Sequence, residues 1–292
     1  MQVETLTLQK DGVVGSFYAP AHSTGLPLIV VTGSDGGLAN AQYIAQLFAQ
    51  KGIAALAVAY FKYPGLSKTL TLIPLEYLEN AITWLTHRLQ TDTVGLYGVS
   101  KGAEYALCAA ARFSAVARVV AVVPNYYVSE GKGRGVARPG VSSWTFRGKA
   151  LPYTPVPGPL RVFLRNSLRA RGMAVAPFYE QAQQRGILPA SVIPVAHCHA
   201  DLLLLTAGND SVWPSPYAGQ QMVQTLTAAG YPHRFRQVQF QQASHILNPV
   251  PPQKEKLLRL LFAQERQFAT GCRAARLAAF RLATAWVTDT GE

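Results

Sequence analysis

Cysteine is scarce in this 292-residue chain. Only Cys108, Cys198 and Cys272 occur, an odd number with no C-x-x-C pair. That argues against a disulfide framework and against a tetrahedral zinc site, and reduced thiols in a cytoplasmic protein are expected. No run of about 18 apolar residues is present to cross a bilayer. The opening Met1-Gln2-Val3-Glu4-Thr5-Leu6 lacks the basic and apolar regions of a secretory signal. Acidic residues are also few: 15 Asp and Glu stand against 27 Lys and Arg, a formal net charge of +12. Such a balance attracts nucleic acid or anionic small molecules. No nucleic-acid motif occurs, and basic residues do not interleave with aromatics in one stripe. Nucleic acid is therefore not expected as a partner, and a phosphate-bearing small molecule is.

What is present is apolar patterning. The chain is 49% hydrophobic and 14% charged, enough for a large buried core and far from the composition of a disordered chain. Val3 to Leu8 and Val13 to Tyr18 read as a hairpin turning at Lys10-Asp11-Gly12. Short apolar strands follow at Leu28 to Val31, Ile53 to Tyr60, Val94 to Tyr97 and Val116 to Val123. Helices alternate with them at Ala41 to Gln50, Leu75 to Leu89 and Ala103 to Phe113, the second with Leu75, Leu78, Ile82 and Leu85 on one face. This alternation implies a mostly parallel, doubly wound α/β sheet. From Pro124 to about Pro194 glycine and proline break the pattern, and Arg134, Arg138, Arg147, Lys149, Arg161, Arg165, Arg169 and Arg171 make the stretch basic. An insertion over about 124–196 is expected to fold as a cap or lid, with a short helix near Phe178 to Arg185, inside one domain spanning 1–292. Strands at Leu202 to Thr206 and Arg234 to Phe240 flank a helix from Pro216 to Ala228. The segment Lys254 to Val287 reads as helical with a break at Thr270-Gly271.

The chemistry centres on Gly98-Val99-Ser100-Lys101-Gly102, a G-x-S-x-G pentapeptide between a strand and a helix. A sharp turn there lifts the serine above the sheet, and its glycines avoid collision with the neighbouring strand and helix. An activated serine needs a base, and the base needs an orienting carboxylate. Asp210 lies 110 residues beyond Ser100, in a turn after an apolar strand, and His245 a further 35 residues on, after the next strand. Both loops return to the sheet edge that carries Ser100. Asp201 precedes its strand and falls at the other edge. His197 and His199 are spaced as a metal pair on a strand, but no further ligands accompany them, so no metal is expected. His22, His87 and His233 read as solvated or structural. The oxyanion donors are expected to be the amide of Lys101 and one from Thr32-Gly33-Ser34-Asp35-Gly36-Gly37, with Ser34 preferred and Asp35 the alternative. No Gly-Lys-Ser/Thr follows that loop to make it a phosphate cradle.

Several segments together resemble the C-terminal catalytic domain of the acyl-CoA thioesterase and bile acid-CoA:amino acid N-acyltransferase family. They are Val30-Val31-Thr32-Gly33-Ser34-Asp35-Gly36-Gly37-Leu38, Lys51 to Tyr60, Ile73-Pro74-Leu75-Glu76-Tyr77, Gly98 to Glu104, Ser142-Ser143-Trp144, Asp210 to Ser215 and Ser244-His245. The Ser-Lys-Gly-Ala-Glu elbow and the Asp-x-x-Trp-Pro-Ser loop are the more specific parts. Gly36, Trp144 and Trp213, within these segments, are the candidate substrate-binding residues. The resemblance implies an α/β-hydrolase fold, a Ser100-Asp210-His245 triad, and cleavage of acyl-CoA thioesters through an acyl-enzyme on Ser100, without a cofactor. The basic insertion is then expected to attract the CoA phosphates. Two departures stand out. The animal enzymes carry an amino-terminal β-sandwich, whereas about 28 residues precede the first core strand here, so that domain is expected to be missing. The N-acyltransferase members use a cysteine nucleophile, whereas Ser100 argues for hydrolysis. A carboxylesterase for small uncharged esters is the alternative, and a binding protein on the same fold without turnover is a third reading.

Overall fold

A computed structural model describes residues 1–133 and 136–288, and the side chains of 136–139 are not described. Arg134 lies outside the described residues, and so does the Arg138 side chain. The chain opens with strand β1 (Gln2–Leu6), the one-turn helix α1 (Leu8–Asp11) and β2 (Val14–Ala19). β3 (Leu28–Val31), α2 (Ala39–Gln50) and β4 (Ala55–Ala59) follow. Then come β5 (Ile73–Pro74), α3 (Glu76–Leu89), β6 (Val94–Val99), α4 (Lys101–Ala110) and β7 (Val116–Val122). Residues 124–196 hold β8 (Glu130–Gly133), β9 (Val136–Ser142), β10 (Trp144–Phe146), β11 (Lys149–Ala150), α5 (Leu160–Arg169) and α6 (Ala176–Arg185). Next are β12 (Asp201–Ala207), α7 (Ser215–Ala228), β13 (Phe235–Phe240), α8 (Glu255–Leu261), α9 (Ala263–Gln267) and α10 (Ala269–Thr288).

Eight strands form the main sheet in the order β1-β2-β4-β3-β6-β7-β12-β13. The six from β4 to β13 are parallel, β2 pairs antiparallel with β4, and β1 pairs antiparallel with β2. Strands covered on both faces have no polar side to present, which is why Leu28 to Val31 and Leu202 to Leu205 are unbroken apolar runs. Their side chains alternate between two cores. Ile29, Val31, Leu202 and Leu204 meet α3, α4 and α7, while Leu28, Val30, Leu203 and Leu205 meet α2 and α10. The three cysteines are free and buried in these layers.

The expected strands and helices of the sheet are all present, with shifts of a few residues at their ends. The β1-β2 pairing is also present, but its connection is a helical turn instead of a tight hairpin. Thr7 caps α1 by accepting from the Lys10 amide, and Gly12 closes it at φ 67°. In the C-terminal segment the breaks fall at Phe262 and Phe268, not at Thr270-Gly271. Gly271 sits inside α10, where a Cβ would lie 2.8 Å from Cβ of Gln242; it is a close-packing glycine, not a breaker. Within 124–196 the expected helix is α6, and α5 and the short strands are additions. β10 pairs parallel with β5 and antiparallel with β11, tying this segment to the loop ahead of α3.

The turn at Ser100 is held by close backbone contact. Ser100 adopts φ 57° and ψ −120°, a conformation that a side chain strains. A Cβ on Gly98 would come within 2.4 Å of the Gly102 oxygen, and one on Gly102 within 2.4 Å of the Thr32 oxygen. Beneath it every residue of α4 is buried. Lys101 is fully buried, with Nζ donating to Glu104 Oε1 at 2.7 Å and to Ser129 Oγ at 2.9 Å. Burial pulls the Lys101 ammonium below the usual lysine range, and Glu104 works against that shift. Glu104 also accepts from the Ser129 amide at 3.2 Å and from Trp144 Nε1 at 2.7 Å. Trp144 stacks on Tyr105 with ring centroids 4.6 Å apart. Trp144, expected against substrate, is instead a core residue that fastens β10 to α4.

Two outcomes follow for stability, both read from urea unfolding. Gly102→Ala is expected to lose about 3 kcal/mol, because backbone on both sides must move. Glu104→Gln is expected to lose about 3–5 kcal/mol, because it leaves a buried ammonium without a counter-charge.

Candidate active site

The carboxyl ends of β6, β12 and β13 bring three separated residues together. His245 Nε2 lies 2.9 Å from Ser100 Oγ, and its Nδ1 lies 2.8 and 2.9 Å from the two oxygens of Asp210. Ser100 and His245 are both nearly buried, and the Asp210 side chain is almost wholly so. The geometry matches a hydroxyl, a base and an orienting carboxylate in series.

Each member is held by its own surroundings. Asp210 Oδ1 accepts the amides of Val212 at 3.0 Å and Trp213 at 3.2 Å, so the acid loop folds back on the carboxylate. Trp213 donates Nε1–H to the Val123 oxygen at 3.0 Å and meets the His245 ring edge-on at 5.4 Å. It is fully buried and does not line the cavity; its place is behind the histidine, not against substrate. Ser244, next to His245, donates to Glu265, and Glu265 is bound by Arg276 at 2.7 Å. This buried anchor ties the histidine loop to α9 and α10. Sequence reasoning missed it because no local pattern links residues 244, 265 and 276.

The loop after β3 approaches from the other side. Thr32, Gly33, Ser34 and Asp35 line the same cavity as Ser100 and His245. A Cβ on Gly33 would lie 3.0 Å from Cβ of Ser100, so Gly33 packs directly against the serine. Sequence reasoning singled out Ser34 and Asp35; the bare need for close approach was the signal that pointed to Gly33. Tyr60 donates to the Thr32 oxygen at 2.6 Å and to the Gly33 oxygen at 3.1 Å, and Lys62 Nζ donates to the Ser34 oxygen at 3.3 Å. Those ties fix the loop. Gly36 is turned away: a Cβ there would meet Phe61 at 2.8 Å, and the residue does not line the cavity. The Lys101 amide is the first of α4 and has no acceptor within the helix. It is thus available beside Ser100, while the Lys101 side chain is buried below.

The cavity has a volume of about 550 Å³. Val156, Phe163, Phe178 and Tyr179 from residues 124–196 and Leu258 and Phe262 from the C-terminal helices make it mainly apolar. Lys62, Lys132 and Lys254 add positive charge to its wall. Burial, reinforced by repulsion from Lys101, brings the Lys132 ammonium down to about 8. Glu130 is occupied by the amides of Val156 at 3.0 Å and Gly140 at 3.3 Å.

The other candidates lie elsewhere. Asp201 sits at the start of β12 and binds Arg234 with its Nε at 2.8 Å, at the opposite end of the sheet from Ser100. His199 stands near His233, with ring centroids 6.4 Å apart. Among the described residues no group of three His, Cys, Asp or Glu is placed to hold a metal ion.

Comparison with known proteins bears on the family. Residues 73–269 match the model of the family described as BAAT / Acyl-CoA thioester hydrolase C terminal. The chain is 30% identical over 223 residues to human acyl-coenzyme A thioesterase 1, covering 75% of this chain and 48% of the relative. It is 26% identical over 246 residues to rat acyl-coenzyme A amino acid N-acyltransferase 2, covering 83% and 54%. The chain thus spans about half the length of the curated relatives it matches. Among solved structures, a chain from Klebsiella pneumoniae subsp. pneumoniae MGH 78578 assigned as a dienelactone hydrolase superposes with a TM-score of 0.57 at 15% identity, covering 98% of each. A puromycin-hydrolyzing peptidase of Mycobacterium tuberculosis gives 0.55 at 14% identity, covering 99% of this chain and 39% of the other. At such identities the structural likeness speaks for the α/β-hydrolase fold alone. The family match, the relatives and the arrangement of sheet, elbow and loops agree: this chain belongs to the BAAT / acyl-CoA thioester hydrolase C-terminal family.

Proposed function

We propose that the chain is a serine hydrolase that cleaves acyl-CoA thioesters through an acyl-enzyme on Ser100. The observation that carries this reading is the Ser100–His245–Asp210 hydrogen-bond series at the edge of an apolar cavity, in a chain of this family. Ser100 Oγ attacks the acyl carbon while His245 Nε2 takes its proton. Asp210 keeps Nδ1 protonated and stabilises the imidazolium. The Lys101 amide and the amides of the loop after β3, with Ser34 preferred and Asp35 the alternative, receive the oxyanion. His245 then protonates the departing thiolate. Water, deprotonated by the same nitrogen, attacks the acyl-enzyme, and Ser100 regains its proton as the acid leaves.

Residues 124–196 act as a cap within a single α/β-hydrolase domain over 1–292. Val156, Phe163 and Phe178 supply apolar wall for an acyl chain, and Lys62, Lys132 and Lys254 supply charge for the phosphates of the CoA group. Ser100 stands at the elbow where the N-acyltransferase members carry a cysteine nucleophile, which supports hydrolysis over transfer to an amino acid.

Ser100→Ala and His245→Ala are each expected to lower turnover on the order of a million-fold. Asp210→Asn is expected to lower it on the order of ten-thousand-fold, because the wrong imidazole tautomer is favoured, while Asp201→Asn leaves it nearly unchanged. Near-parental activity in Ser100→Ala sinks the mechanism. For substrate class, an acyl-CoA and the p-nitrophenyl ester of the same acyl group are compared at two salt concentrations. Charges are screened beyond roughly 10 Å at 0.1 M salt, so kcat/KM for the acyl-CoA is expected to fall with added salt and that for the ester to stay level. An ester preferred at both salts, with equal salt response, replaces the thioesterase reading by that of a carboxylesterase.

A further inference from the structure

Helices α5 and α8 expose what a folded chain ordinarily buries. Six of the nine strongly exposed leucines among the described residues lie on these two helices. On α5 they are Leu160, Leu164 and Leu168, the last 80% exposed; on α8 they are Leu257, Leu260 and Leu261, the second 72% exposed. The spacing on α5 is ordered. At 3.6 residues per turn, Leu160, Leu164 and Leu168 form one stripe, and Arg161, Arg165 and Arg169 form the next stripe round the cylinder. Val162 and Phe163 occupy the remaining side and pack on the core. The outward half of α5 is therefore leucine beside arginine.

The two helices adjoin. The Met173 amide donates to the Leu261 oxygen at 2.7 Å, and the Arg266 guanidinium bridges the Leu260 oxygen at 3.2 Å and the Arg171 oxygen. Lys256 and Arg259 extend the positive charge on α8. Glu255 is the sole acidic residue in either helix, and Arg273 holds it with contacts of 3.1 and 2.5 Å. Phe163, Leu257 and Leu261 also line the cavity that holds Ser100, so this face rims the cavity.

We propose that α5 and α8 form a docking face for an anionic lipid surface. Leucines enter the boundary between headgroups and acyl chains, and the flanking arginines and lysine meet the lipid phosphates. Among the described residues no helix is long and apolar enough to cross a bilayer, so contact is from one side. A second copy of the chain fits this face poorly. A two-fold contact would set arginines of one copy against those of the other, with no free carboxylate on the face to separate them. Docking places the cavity rim against the bilayer, so that an amphiphile dissolved there has a short apolar route to it.

The test is co-sedimentation of the whole chain with vesicles of phosphatidylcholine alone or mixed equally with phosphatidylglycerol, at low salt and with no acyl substrate. Vesicle binding is thus read independently of the hydrolase reading, which stands or falls on Ser100→Ala. The chain is expected to sediment with the mixed vesicles and only weakly with the neutral ones. The triple variant Leu160→Ser, Leu164→Ser, Leu168→Ser and the triple variant Arg161→Glu, Arg165→Glu, Arg169→Glu are each expected to reduce partitioning about tenfold or more, with unchanged circular dichroism and melting. No sedimentation, equal binding to neutral vesicles, or variants that bind like the parent overturns the proposal. So does a dimer in light scattering that the leucine variant converts to monomer, which assigns the face to a second copy.

Discussion

A charge pair removed from water must be fully satisfied, or it destabilises everything packed around it. Lys101 and Glu104 are such a pair, one turn apart on the buried helix that starts at Ser100. Their remaining hydrogen-bonding capacity is met by Ser129 and Trp144, which belong to a different part of the chain. Ser143 adds a bond from its hydroxyl to the Ser129 oxygen at 2.8 Å. The polar cluster therefore sets where residues 129–144 run relative to the elbow. Because Glu130 and Lys132 follow Ser129 directly and reach the cavity wall, the geometry of the cavity inherits its register from a contact below the serine. An apolar replacement of the pair would keep the packing but leave the tryptophan and Ser129 amide without their acceptor.

The strained serine depends on that arrangement. A positive φ at a non-glycine residue costs of order 1–3 kcal/mol and persists only where surrounding structure over-determines it. Here three backbone segments converge within van der Waals contact at Gly98, Gly102 and Thr32. The Ser100 amide is also taken by the Val122 oxygen at 2.9 Å. On the opposite side of the site, the acid is clamped by the amides of its own loop and the histidine by the Glu265–Arg276 anchor. Each of the three side chains is thus held by a separate piece of structure, in addition to the hydrogen bonds that join them to one another.

The parts of the fold legible from sequence are those whose information is local. Buried parallel strands carry unbroken apolar runs, and Leu28 to Val31 and Leu202 to Leu205 could be recognised by composition alone. The order of Ser100, Asp210 and His245 along the chain was legible because each follows a strand of the sheet, buried in β6 and β12 and alternating in β13. Within residues 124–196 α6 was legible but the strands were not, since they are short, contain glycine and proline, and pair with distant partners such as β5. α5 escaped notice for a different reason: Leu160, Phe163, Leu164 and Leu168 do recur at helical spacing, but the prolines and glycines crowded just before and after them obscure the period. Trp144 and Trp213 look like binding residues because large aromatics near motifs often are. Their indole N–H groups instead serve Glu104 and the Val123 oxygen, partners that only the folded chain brings near.

The cysteines give the molecule an unplanned recorder of its own breathing. Cys108 lies in α4 under the elbow, Cys198 just ahead of β12, and Cys272 in α10, and burial raises the thiol pKa of each. In the closed state none presents a thiolate to a reagent, since nucleophilicity requires both exposure and ionisation. Alkylation therefore proceeds at the pace at which each layer opens. Cys108 and Cys198 share one core while Cys272 lies apart from it, so whether Cys272 is labelled before or after the other two reads out which part of the fold lets go first.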